Sequence, residues 1–287
     1  MTVPMIGRLG MAAAWLLLFP VATAVALDRG VTILKQPTGN LIVSKGRDGL
    51  LVIGDVDIKR PALIAATLGG EVPKAIVDTD PDTGFIMSRG DGSVLYMANG
   101  RLLHATLDGL LKVPSSKMSA ATPTRLIVAL ADSDTVHLNG DEIGLFRVQS
   151  GLVAGACAAL FPAAHLLHVG RLYTPGQYPA IDVARGGSIS GLIGAVGRLI
   201  NIGGPEVQFV PAHGEPVSRD RLIAYRNMLM IVRNRVQAAM QRGQTLKQIQ
   251  AARLTADLDP RWARGPVQGA DFVARVHASL LKPPGEG

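Results

Sequence analysis

The sequence predicts a layered α/β protein in which two β-sheets pack against each other between outer helices. Three observations predict it. Short β-rich runs are joined by tight turns, most plainly at Gly46-Arg47-Asp48-Gly49 and Asn139-Gly140-Asp141. Apolar residues recur at three- and four-residue spacing after Ser218, as Leu222, Tyr225, Leu229, Val232 and Val236. Between these patterns, Val207 to Val210 reads as a buried strand that delivers His213 on a turn shaped by Gly214 and Pro216.

In chain order, the N-terminus comes first. Arg8 is its only charge, and an apolar run from Met11 to Ala26 is broken by Pro20 and closes on Ala24-Val25-Ala26. That is an A-x-A cleavage pattern, so residues 1–26 read as an export signal and the mature chain as periplasmic or secreted. An uncleaved anchor is the competing reading, because the run approaches the roughly 18 residues that span a bilayer. No later segment is apolar enough to cross. Residues 27–287 read as one domain, with a C-terminal helical extension from about residue 218.

Asn40 to Val43 and Leu50 to Ile53 form the first hairpin. A helix is expected from Pro61 to about Leu68, since proline costs nothing in a first turn, and Gly69-Gly70 ends it. Lys74 to Asp78 is a buried strand, and the loop at its carboxyl end holds Asp80, Pro81, Asp82 and Gly84. Ser93 to Met97 is another strand, with a short irregular helix expected after Asn99 and a surface loop from Pro114 to Pro123.

Thr135 to Leu138 and Ile143 to Val148 flank the Asn-Gly turn. Ala156 to Phe161 and His165 to Val169 are strands on either side of Pro162-Ala163-Ala164. Ser188 is the candidate N-cap of a helix to about Ile200, Gln244 to Leu254 continues the long helix, and Asp271 to Leu281 is the last.

Composition narrows the function. The formal charge is +7 and the pI about 9.9, which raises nucleic acid as a partner. The arginines are spread along the long helix and the tail without interleaved aromatics, so no stacking platform forms and nucleic acid is not expected. Cys157 is the only cysteine, which rules out an internal disulfide and reads as a small buried hydrophobe.

The remaining histidines point elsewhere. His137 and His165 read as surface residues and His168 as a satisfied core histidine, while His104 and His277 have no partner at ligand spacing. Gly187-Ser188-Ile189-Ser190-Gly191 is explained as a helix cap rather than a nucleophile turn.

Several runs taken in order carry a family resemblance. They are Gly39-Asn40 with Asp48-Gly49-Leu50, Leu166-Leu167-His168-Val169-Gly170, Tyr178-Pro179-Ala180-Ile181-Asp182, Gly186-Gly187-Ser188-Ile189, and Pro211-Ala212-His213-Gly214 before Leu222-Ile223-Ala224-Tyr225-Arg226. The chain resembles metallo-β-lactamase-fold hydrolases, especially an exported, quinoprotein-relay-type branch. The resemblance implies an αββα sandwich of two mixed β-sheets flanked by helices, and a zinc site of closely spaced histidines and aspartates.

That ligand set is largely missing. Where the family carries His-x-His-x-Asp-His, this chain has Asp80-Pro81-Asp82-Thr83-Gly84. Leu152 stands at the next histidine, and Arg171 at the bridging aspartate; only His213 matches. A guanidinium in place of a carboxylate repels a divalent cation rather than holding it. Arg171 is expected either to pair with Asp80 or Asp82 across the old site, or to face two solvated loop aspartates.

The implied ligand-binding cleft is therefore Asp80, Asp82, Arg171 and His213, and no cofactor is expected. The leading expectation is a non-catalytic protein that binds a small molecule or a periplasmic protein partner. The alternative is a hydrolase in which Asp80, Asp82 and His213 hold one zinc or other divalent metal.

Overall fold

The computed structural model describes residues 23–27, 30–36, 39–54, 68–71, 73, 75–79, 86–89, 93–98, 101–103, 126–128, 133–148, 152 and 156–281. Among them the first sheet runs in chain order through β1 (Thr23–Ala26), β2 (Val31–Gln36), β3 (Gly39–Gly46), β4 (Gly49–Gly54), β5 (Ala75–Asp78), β6 (Ile86–Arg89), β7 (Ser93–Ala98) and β8 (Arg101–Leu103). β9 (Leu126–Val128) lies parallel beside β7, and β4 and β5 are also parallel, which makes the sheet mixed.

The second sheet is β10 (Ser133–Leu138), β11 (Asp141–Val148), β12 (Ala156–Phe161), β13 (Leu166–Gly170) and β14 (Gln208–Pro211), with only the last pair parallel. Among the described residues there are five α-helices: α1 (Ile189–Gly203), between β13 and β14, and then α2 (Arg219–Gln241), α3 (Leu246–Ala251), α4 (Asp259–Trp262) and α5 (Gly269–Leu281).

Strand alternation assigns each face. Val31, Ile33, Ile42, Leu51, Ile53 and Val77 of the first sheet meet Val136, Ile143, Leu145, Phe161, Leu166 and Val210 of the second in one buried cluster. The intervening residues Ala158, Leu167, Val169 and Phe209 face the other way, where α1, α2 and α5 cover them. On the opposite side of the first sheet, Leu41, Val43, Leu50 and Val52 pack with Leu34 and Leu68. Fully burying each such aliphatic or aromatic side chain contributes about 1.5–3 kcal/mol.

The two hairpin tips also lock the sheets together. Asn139 and Gly140 both have positive φ (56° and 76°), the two-residue turn that an Asn-Gly pair favours between twisted strands. Asn139 N donates to Asp48 Oδ2 at 2.7 Å, and Asp48 N donates back to Asn139 Oδ1 at 3.1 Å. Turn chemistry in one hairpin thus anchors the other.

The helices keep most of their expected bounds. Ser188 caps α1 by accepting from Gly191 N at 3.0 Å. The α2 stripe is buried as the spacing predicts, with Met228 and Ala239 added to it. Two expectations are corrected. Residues after Asn99 form β8 rather than a helix. The stretch from Gln244 does not continue α2, because Gly243 takes φ 75° and Thr245 opens a new capping box on α3.

Besides β8, four strands were not expected: β1, β2, β6 and β9. The helix expected from Pro61 lies outside the described residues, apart from Leu68. β1 falls within the segment read as a signal; Val25 and Ala26 in it are exposed. A cut after Ala26 would leave β2 as the sheet edge, with its core residues Val31 and Ile33 in place. No helix among the described residues is long and apolar enough to cross a membrane.

Cys157 and His168 are both buried. Burial pushes the Cys157 thiol upward, which leaves it unreactive. His168 points with Leu166 into the inter-sheet core and its Nε2 lies 3.1 Å from Thr79 Oγ1, at the end of β5. Burial lowers its pKa to about 4, opposed by a backbone hydrogen bond with Val210. The folded state therefore keeps the imidazole neutral, whereas the unfolded chain takes up a proton near pH 6.5. Stability is expected to be level above about pH 6.5 and to fall as pH drops towards 4, by up to about 3 kcal/mol. Urea unfolding at stepped pH checks this against His168→Gln, which should lose that component. An identical pH slope in both proteins would refute it.

Candidate functional site

The site grows from the parallel pair β13 and β14. Their carboxyl ends are held together because Gly170 pairs with Pro211 and Ala212 N donates to Gly170 O at 2.8 Å. The next residue on each chain is a charged or titratable one: Arg171 after β13, His213 after Ala212. Gly170 has φ 54°, a left-handed turn that side chains disfavour, and it redirects the chain into Arg171. In a parallel sheet this end of the strands is where ligand crevices form.

Asn40 fixes the His213 turn from the first sheet. Its backbone N donates to Ala212 O at 2.6 Å, and its Nδ2 donates to Pro211 O at 2.9 Å and Gly214 O at 2.7 Å. Asn40, Pro211 and Ala212 are buried, so the Pro211 and Ala212 carbonyls have little access to water, whereas Gly214 is exposed. Gly39 makes the approach feasible: its φ is 141°, and a Cβ there would lie 2.9 Å from Ala212 O. Lys35, opposite Asn40 in β2, forms an ion pair with Glu215 on the exposed rim of the turn.

Arg171 and His213 line one cleft of about 600 Å³. Arg185 and Asp182 share it, with Thr174, Gln177 and the apolar walls Leu152, Pro179, Pro266 and Val267. Asp182 is a turn residue whose Oδ1 accepts from Arg185 N at 3.2 Å and whose Oδ2 lies 4.0 Å from Arg185 Nε. Its backbone N donates to Leu152 O at 3.0 Å, which closes the wall.

The C-terminal helices hold that wall in place. Tyr178 donates to Asp259 Oδ1 at 2.9 Å and stacks on Phe272, with ring centroids 4.8 Å apart. Burial and the Asp259 carboxylate both push the Tyr178 hydroxyl well above its ordinary range, so it stays protonated and donating. Arg275 donates to Ile181 O, and Ser279 Oγ accepts from Ile189 N. The segment read as an extension is thus one side of the site.

Of the residues the sequence singled out, Arg171 and His213 come together. Asp80 and Asp82 lie outside the described residues. His137 sits 3.8 Å from Glu142 on the exposed β10–β11 hairpin, and His165 is an exposed left-handed residue before β13. Sequence reasoning missed Arg185 and Asp182 as cleft residues, and the role of Asn40. Gly39-Asn40 and Tyr178-Pro179-Ala180-Ile181-Asp182 were visible as motifs, but nothing in the sequence marked Pro266 and Val267.

The described residues do not fit a zinc ion. Among them, no group of three or more His, Cys, Asp or Glu side chains stands where it could hold a metal. Among the described lining residues the charged and titratable ones are two guanidiniums, one imidazole, one carboxylate and the Tyr178 phenol. Zinc in a catalytic site draws about three protein ligands, and two fixed cations oppose it.

No protein-family model and no curated sequence matches the chain. Solved structures do. The inverting sec-alkylsulfatase Pisa1 from Pseudomonas sp. matches over 91% of this chain with a TM-score of 0.63 at 15% identity. The match covers 50% of that protein, so this chain spans about half its length. A metallo-β-lactamase from Pontibacter korlensis matches over 73% of this chain and 99% of its own, with a TM-score of 0.47 at 15% identity. The chain has the metallo-β-lactamase fold: two mixed sheets lie face to face, with the described helices on the outer face of the second, an arrangement it shares with Pisa1. At these identities the likeness defines the fold and not the chemistry.

Asn40→Ala would leave the buried Pro211 carbonyl and the part-buried Gly214 carbonyl without their side-chain donor. It is expected to lower stability by about 1–3 kcal/mol, the cost of the one buried orphaned group. Denaturant unfolding measures this; a loss below about 0.5 kcal/mol would show that the clamp does not hold the turn.

Proposed function

We propose that this chain is an exported metallo-β-lactamase-fold protein with a degenerate metal centre. It binds a small molecule or a periplasmic protein partner through the former catalytic cleft without hydrolysing it. The observation that carries the reading is Arg171 beside His213 at the paired ends of β13 and β14. By resemblance, that is where a metal-bridging aspartate belongs. A permanent cation there opposes a divalent ion, and without a bound ion no water is brought to a useful pKa near 7. The export reading is supported by the N-terminal sequence, where Ala24-Val25-Ala26 closes an apolar run.

The competing reading keeps the hydrolase, with Asp80, Asp82 and His213 around one metal. Elemental analysis of protein produced in zinc-supplemented medium separates the two. The binding-protein reading expects substoichiometric metal, unchanged by His213→Ala. One metal per chain that survives dialysis and is lost in His213→Ala would establish the hydrolase-like site instead.

A further inference from the structure

We propose that the cleft takes a small organic anion with a short apolar body, its oxyanion head held by Arg171 and Arg185. This rests on the binding-protein reading and names the ligand class of the same site. The two guanidiniums and the His213 imidazole line one opening, and Asp182 is the carboxylate among the described lining residues. Asp182 meets Arg185 through both oxygens, one accepting from its backbone N and the other 4.0 Å from its guanidinium, so among the described lining residues two guanidiniums stand against one carboxylate. A guanidinium fork matches the paired oxygens of a carboxylate or a sulfate, whereas a lysine would supply only a point charge.

The rest of the cleft suits a hydrocarbon body rather than a sugar or nucleotide. Leu152, Pro179, Pro266 and Val267 form its walls, while the Tyr178 hydroxyl is committed to Asp259. A volume of about 600 Å³ holds a head group with a chain of several carbons. Carboxylates and sulfate esters share the required chemistry, and they differ in whether the head is planar or tetrahedral.

Isothermal titration calorimetry on the chelator-treated protein at low ionic strength tests this with hexanoate, hexyl sulfate, hexanol and inorganic sulfate. One or both six-carbon anions should bind one per chain, more tightly than inorganic sulfate, with hexanol silent. Binding should weaken as salt is added. Arg171→Gln and Arg185→Gln should each weaken it by about tenfold, the loss of one charge-assisted contact. Lys247→Gln, an exposed cation on α3 outside the cleft, should leave it unchanged. The inference is overturned if neither anion binds, if hexanol binds equally well, or if both arginine variants bind as the parent does. Such a failure in chelated protein leaves the binding-protein reading standing; stoichiometric metal removes that reading whatever the anions do.

Discussion

Asn40 is the constraint on which the geometry of the cleft depends. It belongs to the first sheet, yet its hydrogen bonds end on the turn that follows β14 in the second. Without it, the His213 turn would be held only by the Ala212 N–Gly170 O bond and the exposed Lys35–Glu215 ion pair, and Gly214, with φ 100°, would leave its direction loosely set. With it, the turn is held against β3, and Arg171 and His213 line the same opening. A single buried amide therefore links the layer packing to the site.

Two further polar links join the layers. Thr79 meets His168 in the inter-sheet core, and Asp48 exchanges hydrogen bonds with Asn139 at the hairpin tips. The resemblance implies a family in which metal ligands come from loops of both sheets, so that the ion itself cross-links them. In this chain Asn40 and Thr79–His168 are links between buried groups, where an unmade hydrogen bond is costly, and Asp48–Asn139 adds an exposed one at the hairpin tips. On the reading proposed above, a fold tied in this way keeps its cleft without a metal ion.

Much of the fold was legible because it is written in local signals. The Asn139-Gly140 turn, the Ser188 cap and the α2 stripe each need only neighbouring residues, and each lies where its chemistry requires. β2 was missed although Gly30 precedes it and Pro37-Thr38-Gly39 follows it, because its burial is decided by β3 beside it. The break before α3 was missed because a helical pattern continues past it, while Gly243 takes a left-handed conformation. The site was half legible: Arg171 and His213 follow strands that pattern reveals, but Arg185, Pro266 and Val267 reach the cleft only through packing of the C-terminal helices.

The central claim is that the cleft holds a cationic side chain where a cation would otherwise sit. Crystals grown with excess zinc, measured on both sides of the zinc absorption edge, test it most directly. The account predicts no anomalous peak within coordinating distance of His213 and the Arg171 guanidinium turned into the opening. A strong peak bonded to His213 and to carboxylates of the loop after β5, with Arg171 displaced outward, would contradict it.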